Sequence, residues 1–128
     1  MPEYQYLNEK CFAVDDLFTE AECRAWIELA ESIGFADAPI TTSLGPVIRP
    51  DVRNNSRVML DDHQRTAELW ERSREFVPRV LGPWEAVGLN ERLRFYRYDV
   101  GQQFDWHYDG YFRRDNGDQS QLTWMVYL

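Results

Sequence analysis

The stretch Asn90-Glu-Arg-Leu-Arg-Phe-Tyr-Arg-Tyr98-Asp-Val-Gly101-Gln-Gln-Phe104-Asp-Trp-His107-Tyr-Asp109-Gly110 decides how this chain is read. Its first part alternates. Across residues 89–98, Leu93 and Phe95 project one way and Arg92, Arg94, Tyr96 and Tyr98 the other, the period-two pattern of a strand. Gly101 breaks the run, and residues 104–109 read as a second short strand. His107 and Asp109 then share one face, with Cα atoms less than about 7 Å apart. An imidazole nitrogen and a carboxylate oxygen so placed can reach one metal ion, and a divalent first-row metal such as Fe(II) accepts that mixed set. The same pair also reads as a surface ion pair worth under about 1 kcal/mol.

Downstream, Gly110 to Gly117 form a polar loop, and residues 121–128 alternate again. Leu122, Trp124, Val126 and Leu128 fall on one face, and Gln121, Thr123, Met125 and Tyr127 on the other. Upstream the pattern is helical. Thr19-x-x-Glu22 has the spacing of a capping box, and Trp26, Leu29, Ala30 and Ile33 make one helical stripe before a stop at Gly34. Cys11 to Val14 and Arg57 to Leu60 read as short strands. Asp61 is placed to cap a second helix that carries Leu69, Trp70, Phe76 and Val77 on one side and ends at Pro78. His63 falls at an exposed first turn. Residues 35–56, with Pro39, Gly45, Pro46, Pro50 and the Asn54-Asn55 pair, read as a long loop, either a substrate rim or a plain connection. Mixed strands and helices followed by consecutive strands favour an α+β fold with helices outside an antiparallel sheet.

Composition narrows the function classes. The chain has 128 residues, a length that suits one domain, and its 44% hydrophobic content argues for a packed core. A net charge of −8 and a sequence pI near 4.7 lack the basic field that gives phosphate affinity, so nucleic acid is not an expected partner. No apolar run approaches the roughly 20 residues needed to cross a bilayer, and the start is not a secretory signal. A cytoplasmic location is the default, with Cys11 and Cys23 as free thiols.

The quoted stretch resembles the iron(II)- and 2-oxoglutarate-dependent oxygenases, most of all the prolyl 4-hydroxylase-like branch. The pattern is a strand ending in Tyr, a Gly-Gln turn, an aromatic, then His-x-Asp, followed by a Thr-x-x-x-Tyr-Leu strand matched by Thr123 to Leu128. The resemblance is strong over residues 89–128 and less diagnostic before them. It implies a double-stranded β-helix, or jelly roll, with residues 1–88 as a helical and loop N-terminal part and residues 89–128 as its first strands. Arg92, Arg94, Tyr96 and Tyr98 would face inward with Thr123, Met125 and Tyr127, and Leu122, Trp124 and Val126 outward against the helices. It also implies His107 and Asp109 as iron ligands and Tyr98 and Tyr127 as contacts to 2-oxoglutarate. Ascorbate would be a helper reductant, and the substrate a peptide or a small molecule. Arg57, at the end of the 35–56 loop, with Arg113 and Arg114 of the later loop, are candidates for the substrate rim.

The family pattern also includes a second ligating His and a basic residue beyond it. The chain has two histidines, and His63 precedes the motif. The expectation is therefore an incomplete oxygenase domain over residues 1–128, with unpaired strand edges open to self-association and catalysis by this chain alone in doubt. The alternative is a non-catalytic pseudoenzyme or assembly module built on a jelly-roll remnant. A cupin-like metal protein is a third reading, which the Tyr98 and Tyr127 positions disfavour.

Overall fold

The computed structural model describes all 128 residues, which divide into two compact units: residues 1–27 with 60–93, and residues 28–59 with 94–128. The fold is α+β, with two α-helices and small antiparallel sheets that do not close into a barrel. No helix is long and apolar enough to cross a membrane.

In the first unit, β1 (Glu3–Asn8) and β2 (Cys11–Asp15) form a hairpin in which Tyr4 opposes Val14 and Tyr6 opposes Phe12. Tyr4 stacks on Phe12 with ring centroids 5.2 Å apart. The pattern of the sequence showed only β2, because Glu3 to Asn8 lacks a buried face. Helix α1 (Glu20–Ile33) starts at the expected capping box: the Glu22 N–H donates to Thr19 Oγ1 at 3.1 Å, and the Thr19 N–H to the Glu22 carboxylate at 3.0 Å.

The same carboxylate receives both Nη groups of Arg72 on helix α2 (His63–Ser73), joining the helices. Hydrogen bonds from Arg72 first, and from Thr19, hold the Glu22 carboxyl well below its ordinary value of 4.5, at about 2. A depressed folded-state value means that the stabilisation is complete above 4.5 and is lost as the pH falls towards 2. Glu22→Gln is expected to flatten the fall of stability across that window, measured by chemical unfolding at successive pH values. An unchanged slope would contradict it.

Asp62, not Asp61, caps α2, its Oδ1 accepting the Arg65 N–H at 2.8 Å. The sequence reading is corrected by one residue because Asp61 is already engaged. Its two oxygens receive Arg92 Nε and Nη2 at 2.8 and 3.0 Å. His63 lies exposed in the first turn of α2, and Leu69 is buried. A 3-10 turn (Arg74–Phe76) follows α2 and ends before Pro78. The short hairpin β7 (Val80–Leu81) and β8 (Trp84–Glu85) closes this unit.

In the second unit, α1 ends where Gly34, at φ 100°, turns back to give its N–H to the Ala30 carbonyl. The next residues correct the reading of 35–56 as one long loop. They hold β3 (Ala36–Asp37), β4 (Ile40–Thr42) and β5 (Gly45–Val47), with β4 and β5 as a hairpin. β6 (Ser56–Asp61) lies between β3 and β9 (Arg92–Arg97) in a three-stranded sheet. Ala30, Ala38 and Val58 are the buried apolar side chains of this unit, and Arg53 and Asn55 are buried with them. Of the turn-favouring residues in this stretch Pro50 lies in a turn, but Gly45 and Pro46 lie inside β5, so composition hid the two- and three-residue strands.

Two expected strands are absent. Residues 104–109 and 121–128 have no ladder partner; Phe104 alone makes an isolated bridge, to Arg53. Alternation tells which side chains share a face, but a strand also needs a neighbour for its N–H and C=O groups. The inward face is corrected as well. In β9, Leu93 and Phe95 are half-buried, while Arg92, Arg94, Tyr96 and the following Tyr98 are exposed.

Candidate functional site

Every residue singled out in the motif stretch from Tyr98 onwards belongs to the second unit, so the site can be built within it. Its foundation is the segment 52–55. The Asp105 N–H donates to the Val52 carbonyl at 2.9 Å, the Asn54 N–H to the Gln103 carbonyl at 3.0 Å, and the Gln103 N–H to Asn54 Oδ1 at 2.7 Å. Three bonds therefore dock the chain just before His107 onto the connection between β5 and β6. Gly101, at φ 84°, makes the preceding turn, which an L-residue with a side chain rarely adopts.

On this foundation stands a column of flat groups. The Arg53 guanidinium lies 4.5 Å from the Tyr96 ring centroid and 4.2 Å from that of Phe104. Phe104 in turn stacks on the His107 imidazole, with centroids 3.7 Å apart and planes 8° from parallel. Arg53 is only 5% exposed. Its Nε–H donates to Asn55 Oδ1 at 2.8 Å and its Nη1 to the Pro39 carbonyl at 3.2 Å, while Nη2 has no hydrogen-bond partner within the chain. Guanidinium is weakly hydrated and planar, so two aromatic faces suit it better than they would suit an ammonium.

His107 Nδ1 lies 2.7 Å from the Asp105 carbonyl, an acceptor, so Nδ1 carries the proton there. In the neutral ring Nε2 is then a bare lone pair, and it faces Asp109 Oδ1 at 3.3 Å. Two acceptors at that distance repel unless a positive species joins them. That species is either a second proton on the ring, giving an ion pair, or a metal ion drawing both donors in. Asp109 Oδ2 is held separately, accepting the Thr123 hydroxyl at 2.8 Å, which leaves Oδ1 to face the imidazole. A ligating His whose other nitrogen donates to a backbone carbonyl, beside a carboxylate that is itself hydrogen-bonded, is the usual arrangement around protein-bound metals. The donor set fits a divalent cation as two ligands. No group of three His, Cys, Asp or Glu side chains placed to hold a metal is present.

Tyr98 is half-exposed. Burial pushes its hydroxyl pKa up, the charge of Arg53 opposes the rise, and Tyr96 and Tyr127 add to it. These influences put Tyr98 in the electrostatic neighbourhood of Arg53, Tyr96 and Tyr127, with its phenol kept protonated as a donor. Tyr127 itself is largely exposed. The rim candidates stay with their own elements. Arg57 lies in β6 opposite Ala36, Arg113 bridges to Gln119, and Arg114 pairs with Asp118 at 3.6 Å within its turn.

Arg53, Asn55 and Phe104 were not legible as site residues. Their one mark in the sequence was a polar Arg-Asn-Asn run before an apolar strand, which by itself says nothing of burial. No family model, no curated protein and no solved structure matches this chain.

Proposed function

We propose that the chain carries the iron-binding segment of an iron(II)- and 2-oxoglutarate-dependent dioxygenase. The observation that carries this reading is the meeting of His107 Nε2 and Asp109 Oδ1 at 3.3 Å, with each residue's other polar atom already engaged. The fold that goes with it is a double-stranded β-helix to which β9 belongs, with the helices packed outside. Iron, when bound by His107 and Asp109, would supply O₂-dependent oxidative decarboxylation of 2-oxoglutarate to succinate and CO₂, one oxygen atom of O₂ going to succinate and the other to the C–H bond that is hydroxylated.

The residues of this chain do the rest. Asp105 fixes the His107 tautomer through its carbonyl. Thr123 fixes the carboxylate plane. Tyr98 and Tyr127 offer phenol donors to the carboxylate end of 2-oxoglutarate. Arg57, Arg113 and Arg114 are proposed for the rim that meets a peptide or small-molecule substrate, and ascorbate is a helper that returns iron to the ferrous state.

The test is succinate release from 2-oxoglutarate in the presence of Fe(II) and ascorbate. With two protein donors, activity is expected to need excess Fe(II) and to rise when free imidazole is added to take a third ligand position. Loss of the release in Asp109→Asn is the expected control; release unaffected by that change would defeat the proposal. Thr123→Val is expected to weaken metal binding by about 10-fold, the lower end for loss of an outer hydrogen bond, as read by a metal titration. A wild-type affinity in that variant would show that the carboxylate needs no support.

A second reading rests on a different observation. Trp106 and Tyr108 are fully exposed, and Tyr111, Met125 and Tyr127 are exposed with them. Exposed aromatic surface of this kind marks contact sites, which favours a non-catalytic assembly module, including self-association through strand edges. His107→Ala would then leave partner binding unchanged.

A further inference from the structure

We infer that Arg53 is a positioning residue: its guanidinium sets the plane of the His107 imidazole through Phe104. The inference rests on the metal-site reading only for its consequence in metal binding; the geometry stands by itself. Phe104 is held between two flat partners, Arg53 at 4.2 Å on one side and His107 at 3.7 Å on the other. Its backbone neighbours are fixed to residues 52 and 54, and Phe104 itself bridges to Arg53. Arg53 is the buried end of the column and is anchored from outside it, through Asn55 and the Pro39 carbonyl. Orientation therefore passes from the buried Asn55, through Arg53 and Phe104, to the imidazole. His107 is on a segment without ladder hydrogen bonds; the Asp105 carbonyl at 2.7 Å and Asp109 at 3.3 Å hold the two edges of its ring, and the Phe104 face sets the tilt of its plane.

Lys cannot replace Arg in this role. An ammonium has no plane to stack and would not reach Asn55, Pro39 and two ring faces together. Charge alone is thus not the property at work.

The chain offers a clean readout, because it has two histidines and His63 sits on α2 in the other unit. In metal-free protein, the His107 ring protons lie over the Phe104 face and are expected upfield of those of His63 in proton–carbon correlation spectra. In Arg53→Met and Arg53→Lys, the His107 signals should move downfield towards those of His63, with the His63 signals unchanged. Titration with Co(II) should then show affinity weaker by about 10-fold or more in both variants. If Arg53→Met does not fold, Arg53→Lys, which keeps the buried charge, decides alone. His107 signals at their wild-type positions in a folded variant would overturn the inference, whatever the metal does. Absence of Co(II) binding in the wild type, with the His107 signals displaced in the variants, would overturn the metal-site reading and leave the positioning role supported.

Discussion

Asn55→Ala is expected to lower the stability of the chain by about 2–3 kcal/mol, more than its small volume suggests. Asn55 is 1% exposed, and its Oδ1 takes the Nε–H of a buried guanidinium at 2.8 Å. Its Nδ2 donates to the Ser56 carbonyl at 3.1 Å. Removing the side chain leaves Arg53 with one acceptor, the Pro39 carbonyl, while Nη2 already has none. Hydrogen bonds to charged groups contribute about 1.5–3 kcal/mol, and the cost of a stranded buried donor falls at the upper end of that range. Asn55→Asp keeps the acceptor and adds an opposite charge, so its loss should be smaller. Urea unfolding of both variants checks this. A loss under about 0.5 kcal/mol for Asn55→Ala, the level of an ordinary surface change, would mean that Arg53 finds another partner.

His107→Ala has the largest expected effect on binding. If His107 and Asp109 take one cation, removing the imidazole leaves a single carboxylate. Affinity for Co(II) should then fall by more than the roughly 100-fold that loss of an outer-shell partner can produce. Stability should hardly change, because a partly exposed His–Asp ion pair is worth under about 1 kcal/mol. The two readings of this pair are thereby separated. A simple ion pair predicts a small loss of stability and no change in metal binding. A ligand pair predicts the reverse weighting. Asp109→Asn should behave as His107→Ala does, since the amide oxygen is a poorer donor for a divalent ion.

Several short-range signals were legible, although the cap of α2 fell on Asp62 rather than Asp61. The capping box at Thr19 and Glu22 formed as its spacing required, and Gly34 stopped α1. β2 and β6 appeared where apolar residues clustered, and β9 where alternation ran longest. What the sequence could not specify was pairing. Residues 121–128 alternate as cleanly as β9, yet β9 has β6 beside it and 121–128 has no strand beside it. The same limit explains the aromatics. The 44% hydrophobic content argued for a packed core, whereas Trp106 and Tyr108 stand fully exposed.

For the site, the i, i+2 spacing brought His107 and Asp109 together without the strand that the spacing had been taken to imply. Thr123, on the same face as Tyr127 in that reading, reaches Asp109 across 14 residues. Arg53 and Asn55 stayed hidden because long-range stacking has no period. A polar run between a proline and a strand gives the same signal whether it lies buried or in solvent.

The central claim, that His107 and Asp109 share one cation, is tested most directly by following the ring signals of the two histidines as Mn(II) is added in small amounts. Paramagnetic broadening reports distance from the ion. The His107 signals are expected to broaden first and disappear while those of His63 stay sharp, and Asp109→Asn is expected to remove the difference. Equal broadening of both imidazoles, or broadening of His107 that survives Asp109→Asn unchanged, would contradict it.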